Sequence, residues 1–180
     1  MPRCRNCKEK FVQYKFNNKF CKELDCQVAK GLYLVDKQQQ QKLKEINKDV
    51  RERKEKLKTT SDYLKEVEVF VNRFIRLRDK DKPCVSCQRP LKSKFDAGHY
   101  RSKGGNPEIR FNEDNIHGQC VYCNRHLHAN LIDYRISLIK RIGLDRVEWL
   151  EGKHEPRKYT IPELIIMKEE YKEKIKRLNK

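Results

Sequence analysis

Apolar residues return at helical spacing in three stretches of the chain. Leu64, Val67, Val71, Phe74 and Ile75 trace a wide apolar face and predict a helix over about 62–79. Thr59-Thr60-Ser61-Asp62 offers side-chain oxygens to cap its start, and Pro83 stops it. Ile132, Ile136, Ile139 and Ile142 mark a shorter helix that ends at Gly143. Thr160 and Glu163 make a candidate capping box with Pro162 in the first turn. Leu164, Tyr171, Ile175 and Leu178 then line one side of a terminal helix. From Lys37 to Lys58 the apolar positions thin to Leu43, Ile46, Val50 and Leu57, which fits a solvated helix or a basic tether.

Composition sharpens this picture. Only 37% of the 180 residues are hydrophobic, so no large core can form, and the formal net charge is +17. A field of that sign and size most often serves nucleic acid. An anionic membrane surface fits less well, because no strong apolar stripe accompanies the charge. No run of about 18 apolar residues exists to span a bilayer. The opening Met1-Pro2-Arg3-Cys4 lacks the apolar core of a signal peptide. A cytoplasmic protein without membrane contact is expected, and its eight cysteines should be reduced and available to metal.

The cysteines fall into two quartets. Cys84-Val-Ser-Cys87 and Cys120-Val-Tyr-Cys123 are paired turns of the kind that hold a four-thiolate structural zinc. Such a closed site leaves no open coordination position, so this ion is not the catalyst. Cys4, Cys7, Cys21 and Cys26 form a second zinc set, with Phe11, Tyr14, Phe16 and Phe20 between them as the expected core of a tiny finger. Stacking of those aromatics on DNA bases is the less favoured alternative. Four segments follow: a finger over 1–30, a basic helical tether over 31–61, a core with its preceding helix over 62–143, and a helical segment over 144–180.

The loop between the second cysteine pairs carries the chemistry. Asp96-Ala97-Gly98-His99, then Asn115 five residues before the third cysteine, then Asn124 directly after the fourth, reproduce the order of the HNH nucleases. That core is a β-hairpin and a helix gripping one divalent ion. Phosphodiester hydrolysis needs a base for water and charge stabilisation for the phosphate and the leaving oxygen. His99 is the candidate base, and Asn115 would hold its loop. The position before the base is Gly98, which has no side chain. Asp96 is the nearest carboxylate, although strand alternation puts it opposite His99 unless a bulge at Ala97-Gly98 intervenes. Asp96 and Asn124 are the favoured ligands. His128 follows, sharing a helix face with Asn124 if a helix has begun, and His126 stands behind it. Oxygen donors favour Mg²⁺ or Mn²⁺. His117 and His154 read as ordinary polar residues. Arg101, Lys103 and Arg110 are candidate phosphate contacts.

More than the generic pattern is present. Asp81-Lys82-Pro83-Cys84-Val85-Ser86-Cys87, Asp96-Ala97-Gly98-His99-Tyr100-Arg101, Arg110 through His117, Gln119 through Asn124, Asn130-Leu131 and Tyr134-Arg135 together resemble the NinG (Rap) recombination endonuclease family of lambdoid phages. The resemblance implies a phage-encoded protein of the host cytoplasm. It implies an endonuclease that cuts branched DNA such as Holliday junctions and D-loops, with phage recombination proteins as further partners. Cutting both strands of a symmetric junction would suit a homodimer. The expected fold is α+β: a small ββα-metal (HNH-like) core braced by a Cys4 zinc site, with an N-terminal zinc finger and flanking helices. The rival expectation is a non-catalytic zinc-finger DNA-binding accessory protein.

Overall fold

A computed structural model describes residues 1–179. The chain divides into two compact units, Met1–Leu57 and Lys58–Lys180.

The first unit is a turn-rich segment that runs into helix α1 (Leu24–Lys56). Cys4, Phe11, Phe20 and Cys26 are buried together, with the Tyr33 ring 5.9 Å from Phe20. Only part of the aromatic set therefore forms a core. Phe16 is fully exposed and Tyr14 partly so. The cysteine-bearing segment and the basic segment meet in one helix, since Cys26 lies in the first turn of α1 and the helix continues to Lys56. At 1.5 Å per residue its 33 residues extend about 50 Å. Cys26 is its only buried residue, so local terms sustain its far end. These include the Asp49–Arg53 pair at 2.9 Å and the basic last turn, Arg53, Lys54 and Lys56, which complements the helix dipole.

The second unit is mixed α/β. Helix α2 (Thr60–Arg78) begins at a full capping box, Thr59 with Asp62. Val67, Val71, Phe74 and Ile75 bury one face of it. That face packs on Leu164, Tyr171 and Ile175 of α5 (Ile161–Leu178), and on Phe111 and Ile116. The C-terminal segment is thus part of the same core as α2. A second apolar cluster joins Val85, Tyr100 and Ile109 to Tyr134 and Leu138 of α3 (Leu131–Ile142) and to Val147 and Leu150 of α4 (Leu144–Glu151). The buried face of α3 differs from the expected stripe. Ile132 and Ile136 are exposed, while Tyr134 is buried and donates its hydroxyl to the Gly98 carbonyl at 3.0 Å. Helix α3 is apolar on more than one side, and the hydroxyl's need for a buried partner selects which side turns inward.

One hairpin of two short strands sits among these helices. Strands β1 (Asp96–His99) and β2 (Ile116–Gln119) pair antiparallel, Asp96 with Gln119 and His99 with Ile116. The pairing is uninterrupted, so no bulge intervenes at Ala97-Gly98. Among the described residues no helix is long and apolar enough to cross a membrane.

A buried ionic node fixes the hairpin to the end of α2. Asp79 is fully buried and accepts the Gly118 N–H at 2.8 Å. Arg78 grips both Asp79 oxygens at 2.9 and 2.8 Å, and Lys82 adds a bond of 2.9 Å. Burial opposes ionisation of this carboxyl, but these cations and the N–H hold it well below the usual carboxylate range. Arg78 also donates to the carbonyls of Glu113 and Ile116 and to His117 Nδ1. At Gly118 the approach is so close that a Cβ would stand 3.0 Å from Asp79 Cβ and 2.9 Å from a Leu91 methyl. Removing one partner from such a node leaves buried charge uncompensated. Asp79→Ala is expected to cost about 3 kcal/mol of unfolding free energy. Urea denaturation of metal-loaded protein measures it, and a loss below about 1 kcal/mol would show that the node contributes little.

Candidate functional site

Each cysteine quartet converges. The four sulfurs of Cys4, Cys7, Cys21 and Cys26 lie within 4.8 Å of one another, as do those of Cys84, Cys87, Cys120 and Cys123. Either set could hold a metal ion. The two sites share one plan. Cys4 N–H bonds the Glu9 carbonyl and Lys8 N–H bonds the Cys4 carbonyl, at 2.8 and 3.0 Å. Cys84 with Arg89, and Gln88 with Cys84, do the same at 2.9 and 3.0 Å. Lys8 and Gln88 both turn left-handed, with φ of 65° and 58°. The third cysteine's N–H points at the first cysteine's sulfur in both, at 3.4 Å for Cys21 and 3.3 Å for Cys120. Hydrogen bonds of this kind favour the thiolate form that a metal requires.

A polar cleft lies beside the turn that follows Cys123. Its volume is about 410 Å³, and Asp96, His99, Lys103, Asn124 and Arg125 line it. Glu68, Asn72 and Arg76 of α2 complete the wall. His99 is half-buried on β1, and its Nε2 lies 2.9 Å from the Arg110 carbonyl. A carbonyl only accepts, so Nε2 carries the hydrogen and neutral His99 keeps its lone pair on Nδ1. Among the described residues Nδ1 has no hydrogen-bond partner. Burial pushes the His99 pKa below its ordinary value, against the pull of the Arg110 carbonyl and Glu68. The neutral form therefore persists into mildly acid solution.

His117 gives the contrast. Both its nitrogens are used: Nδ1 accepts from Arg78 at 3.1 Å and Nε2 donates to the Asp114 carbonyl at 3.0 Å. Burial, then the Arg78 charge, push its pKa down to about 3. It is a neutral structural histidine.

Asn115 is fully buried beneath the loop that follows His99. Its Oδ1 accepts the Arg101 N–H at 2.7 Å, and its Nδ2 donates to the carbonyls of Arg101 and Ile109 at 3.0 and 3.2 Å. Asn115 thus closes the loop from Arg101 to Ile109, next to the Arg110 carbonyl that holds His99.

The metal candidates divide. Asp96 and Asn124 meet, Asn124 Nδ2 lying 2.9 Å from Asp96 Oδ2. Arg125 bridges both Asp96 oxygens at 2.8 and 3.0 Å. That pairing, with the Asn124 bond, lowers the Asp96 pKa. Asp96 reaches the cleft from the end of a short two-stranded ribbon, where strong twist relaxes strict alternation. His128 is not with them. It lies in a separate hollow of about 320 Å³ beside Arg101, Asn106 and the other side of His99. The helical face expected to unite Asn124 with His128 does not form. A single wide turn spans Tyr122–His126, after which His128, Ala129 and Asn130 all take positive φ. Among the described residues no third group of three or more His, Cys, Asp or Glu converges as the cysteines do.

Two of the three expected phosphate contacts are engaged by an acid. Lys103 and Arg110 both pair with Glu68, Arg110 at 3.3 Å. Arg101 lies in the second hollow, and its Nε is buried without a partner. Sequence reasoning missed Glu68, Asn72 and Arg76. Their four-residue spacing beside the apolar face of α2 was the available signal. The bare position at Gly98 also has a physical reason. A Cβ there would lie 2.2 Å from the side-chain oxygen of Gln119, itself fully buried.

These features define a class: a small mixed α/β protein with two metal-capable cysteine quartets, one bracing a hairpin beside a polar cleft. The family model of the bacteriophage lambda NinG protein matches residues 1–180, and the chain belongs to that family. Protein ninG of Escherichia phage lambda is 47% identical over 126 residues, covering 70% of this chain and 62% of that protein. Protein ninG of Salmonella phage P22 is 45% identical over the same share of each chain. That of Escherichia phage 933W is 44% identical, over 70% of this chain and 63% of that one. The match thus spans about three-fifths of these relatives' length. No solved structure matches the chain.

The Asn115 bonds make a direct prediction. Asn115→Ala removes the side-chain partner of the Arg101 N–H and carbonyl and one of two bonds to the Ile109 carbonyl, which keeps the Asn112 N–H, and is expected to cost about 2 kcal/mol. It should also speed amide hydrogen exchange from Arg101 to Arg110. Unchanged protection across that loop would show that other contacts hold it.

Proposed function

We propose that this protein is a divalent-metal-dependent endodeoxyribonuclease with an HNH-type site, acting on branched recombination intermediates. The observation that carries the reading is His99: one nitrogen fixed on a backbone carbonyl, the other a free lone pair beside a polar cleft. Its Nδ1 would take a proton from water as the water oxygen bonds phosphorus and the bond to the 3′-oxygen breaks. Asn115 would position this base through the loop. Lys103 and Arg110, released from Glu68, and Arg101 would hold phosphate oxygens.

Asp96 and Asn124 fit a hard cation. The carboxylate already attracts one charged group, Arg125, whose side chain is 60% exposed and so leaves at little packing cost. The carboxylate and the amide oxygen suit Mg²⁺ or Mn²⁺. When bound, the ion would stabilise charge on the phosphate and on the leaving oxygen. Both quartets would hold structural zinc, which supplies folding energy in segments with little core of their own.

Three experiments follow. On a synthetic four-way junction with Mg²⁺ or Mn²⁺, native protein should cut in preference to linear duplex. His99→Ala should bind equally and lose at least about 100-fold in rate. For the native protein, kcat/KM should fall on the acid side with a midpoint below 6.5, because burial depresses the His99 pKa and its neutral form is the base. Binding without cutting under any divalent ion would favour the non-catalytic DNA-binding reading. Elemental analysis should find two zinc ions per chain, with Cys7→Ser and Cys87→Ser each losing one. A single ion in the native chain would refute one of the two sites.

A further inference from the structure

A second groove lies against Cys120 of the second quartet. Its volume is about 530 Å³, and Arg89, Pro90, Lys92, Lys94, Cys120, Val121 and Tyr122 line it. The charged groups in this lining are all basic. Arg89 turns its Nε toward the Cys87 sulfur at 3.4 Å. Lys92 and Lys94 are exposed and, among the described residues, pair with no acid. This differs from the cleft, where Glu68 and Asp96 engage the neighbouring cations.

Tyr122 gives the groove its second property. It is 55% exposed, although it sits between two buried or half-buried metal-capable cysteines. Its ring lies 5.8 Å from that of His126, with 30° between planes. The two rings form a small aromatic platform on the surface. A core role does not explain an aromatic so placed. The turn that carries it, Tyr122–His126, also carries Asn124 and Arg125 into the cleft. The platform and one wall of the cleft therefore share a single turn.

We infer that this groove binds a single-stranded stretch of DNA, with an unpaired base stacked on Tyr122 and flanking phosphates on Lys92 and Lys94. Bases inside a duplex have both faces covered by neighbours, so the platform accepts only a base out of its stack. Lysines hold phosphates without reading sequence. The inference rests on the reading of the protein as one that acts on DNA, and it supplies a physical basis for choosing branches. A branch offers unstacked nucleotides, and a uniform duplex offers none.

The test is equilibrium binding of the full, zinc-loaded chain without added magnesium or manganese, so that cleavage plays no part. The probes are a short single strand carrying 2-aminopurine, a perfect duplex, and a four-way junction. Tyr122→Ala should weaken single-strand binding about 10-fold or more and relieve the quenching of 2-aminopurine. Tyr122→Phe should stay within about 2-fold of native, since the ring is what stacks. Duplex affinity should change by less than about 2-fold in both variants. The Lys92→Ala/Lys94→Ala variant should reduce the salt slope on single strands by about 1.4. Zinc content must match native, which separates stacking from damage to the neighbouring cysteines. Native-like single-strand affinity in Tyr122→Ala, or equal loss on duplex and single strand, would overturn the inference. Selective single-strand binding here, with no junction cutting in the separate assay with Mg²⁺ or Mn²⁺, would leave the groove standing and refute the nuclease reading alone.

Discussion

The hairpin that carries His99 is too short to hold itself in place, and a buried carboxylate does it instead. Two four-residue strands are marginal in water without a partner surface. Asp79 supplies the tie from the last turn of α2 by taking the Gly118 N–H. The Gly118 carbonyl in turn accepts the Val85 N–H at 3.0 Å, one residue beyond Cys84. A single glycine thus joins the helix, the hairpin and the first cysteine turn. Only glycine permits the approach, and only a charge-paired carboxylate is stable in so dry a place.

The two histidines of the hairpin show how environment assigns roles to one residue type. His117 and Gly98 are paired across the strands, and His117 spends both nitrogens on its own fold. His99 spends one. Arg78 makes the difference, because a guanidinium aimed at His117 Nδ1 needs a lone pair there and disfavours any added proton. Nothing comparable faces His99 Nδ1. Proton exchange in the useful range is therefore open to His99 and closed to its neighbour.

The cysteine quartets and helices α2, α3 and α5 were legible in the sequence, because fixed spacing and capping chemistry carry them, and Asp96, His99 and Asn124, read in order along the chain, come to line one cleft. The capping boxes at Thr59 and Thr160 form as their residue types dictate. What could not be read depends on which surfaces meet. Glu68, Asn72 and Arg76 are ordinary polar helix residues until α2 is laid along β1. Leu178 continues the α5 stripe in sequence yet is exposed, as the last residue of that helix. The most consequential miss is at His128-Ala129-Asn130. None of the three is glycine, and three successive left-handed residues run against local preference. Tertiary bonds hold them: the Ala129 carbonyl accepts from Ser86 at 3.0 Å and also from Gln119. Helical extrapolation past Cys123 fails there, and with it the placement of His128 beside Asn124.

Charge is distributed in a way that net charge alone conceals. The chain carries a formal +17, yet the cations nearest His99 are largely compensated: Lys103 and Arg110 by Glu68, and Arg125 by Asp96. A cleft crowded with bare cations would depress the His99 pKa further and would repel a divalent ion from Asp96. Among the described residues, Arg76 of the cleft's own cations is left without an ion pair, and Lys92 and Lys94 add unpaired charge at the groove beside Cys120. Long-range attraction of a polyanion needs only the summed field, so it can be supplied at a distance. Chemistry at one phosphate needs a local balance in which a base stays neutral and a carboxylate stays charged. The paired acids of the cleft maintain that balance inside a strongly basic molecule.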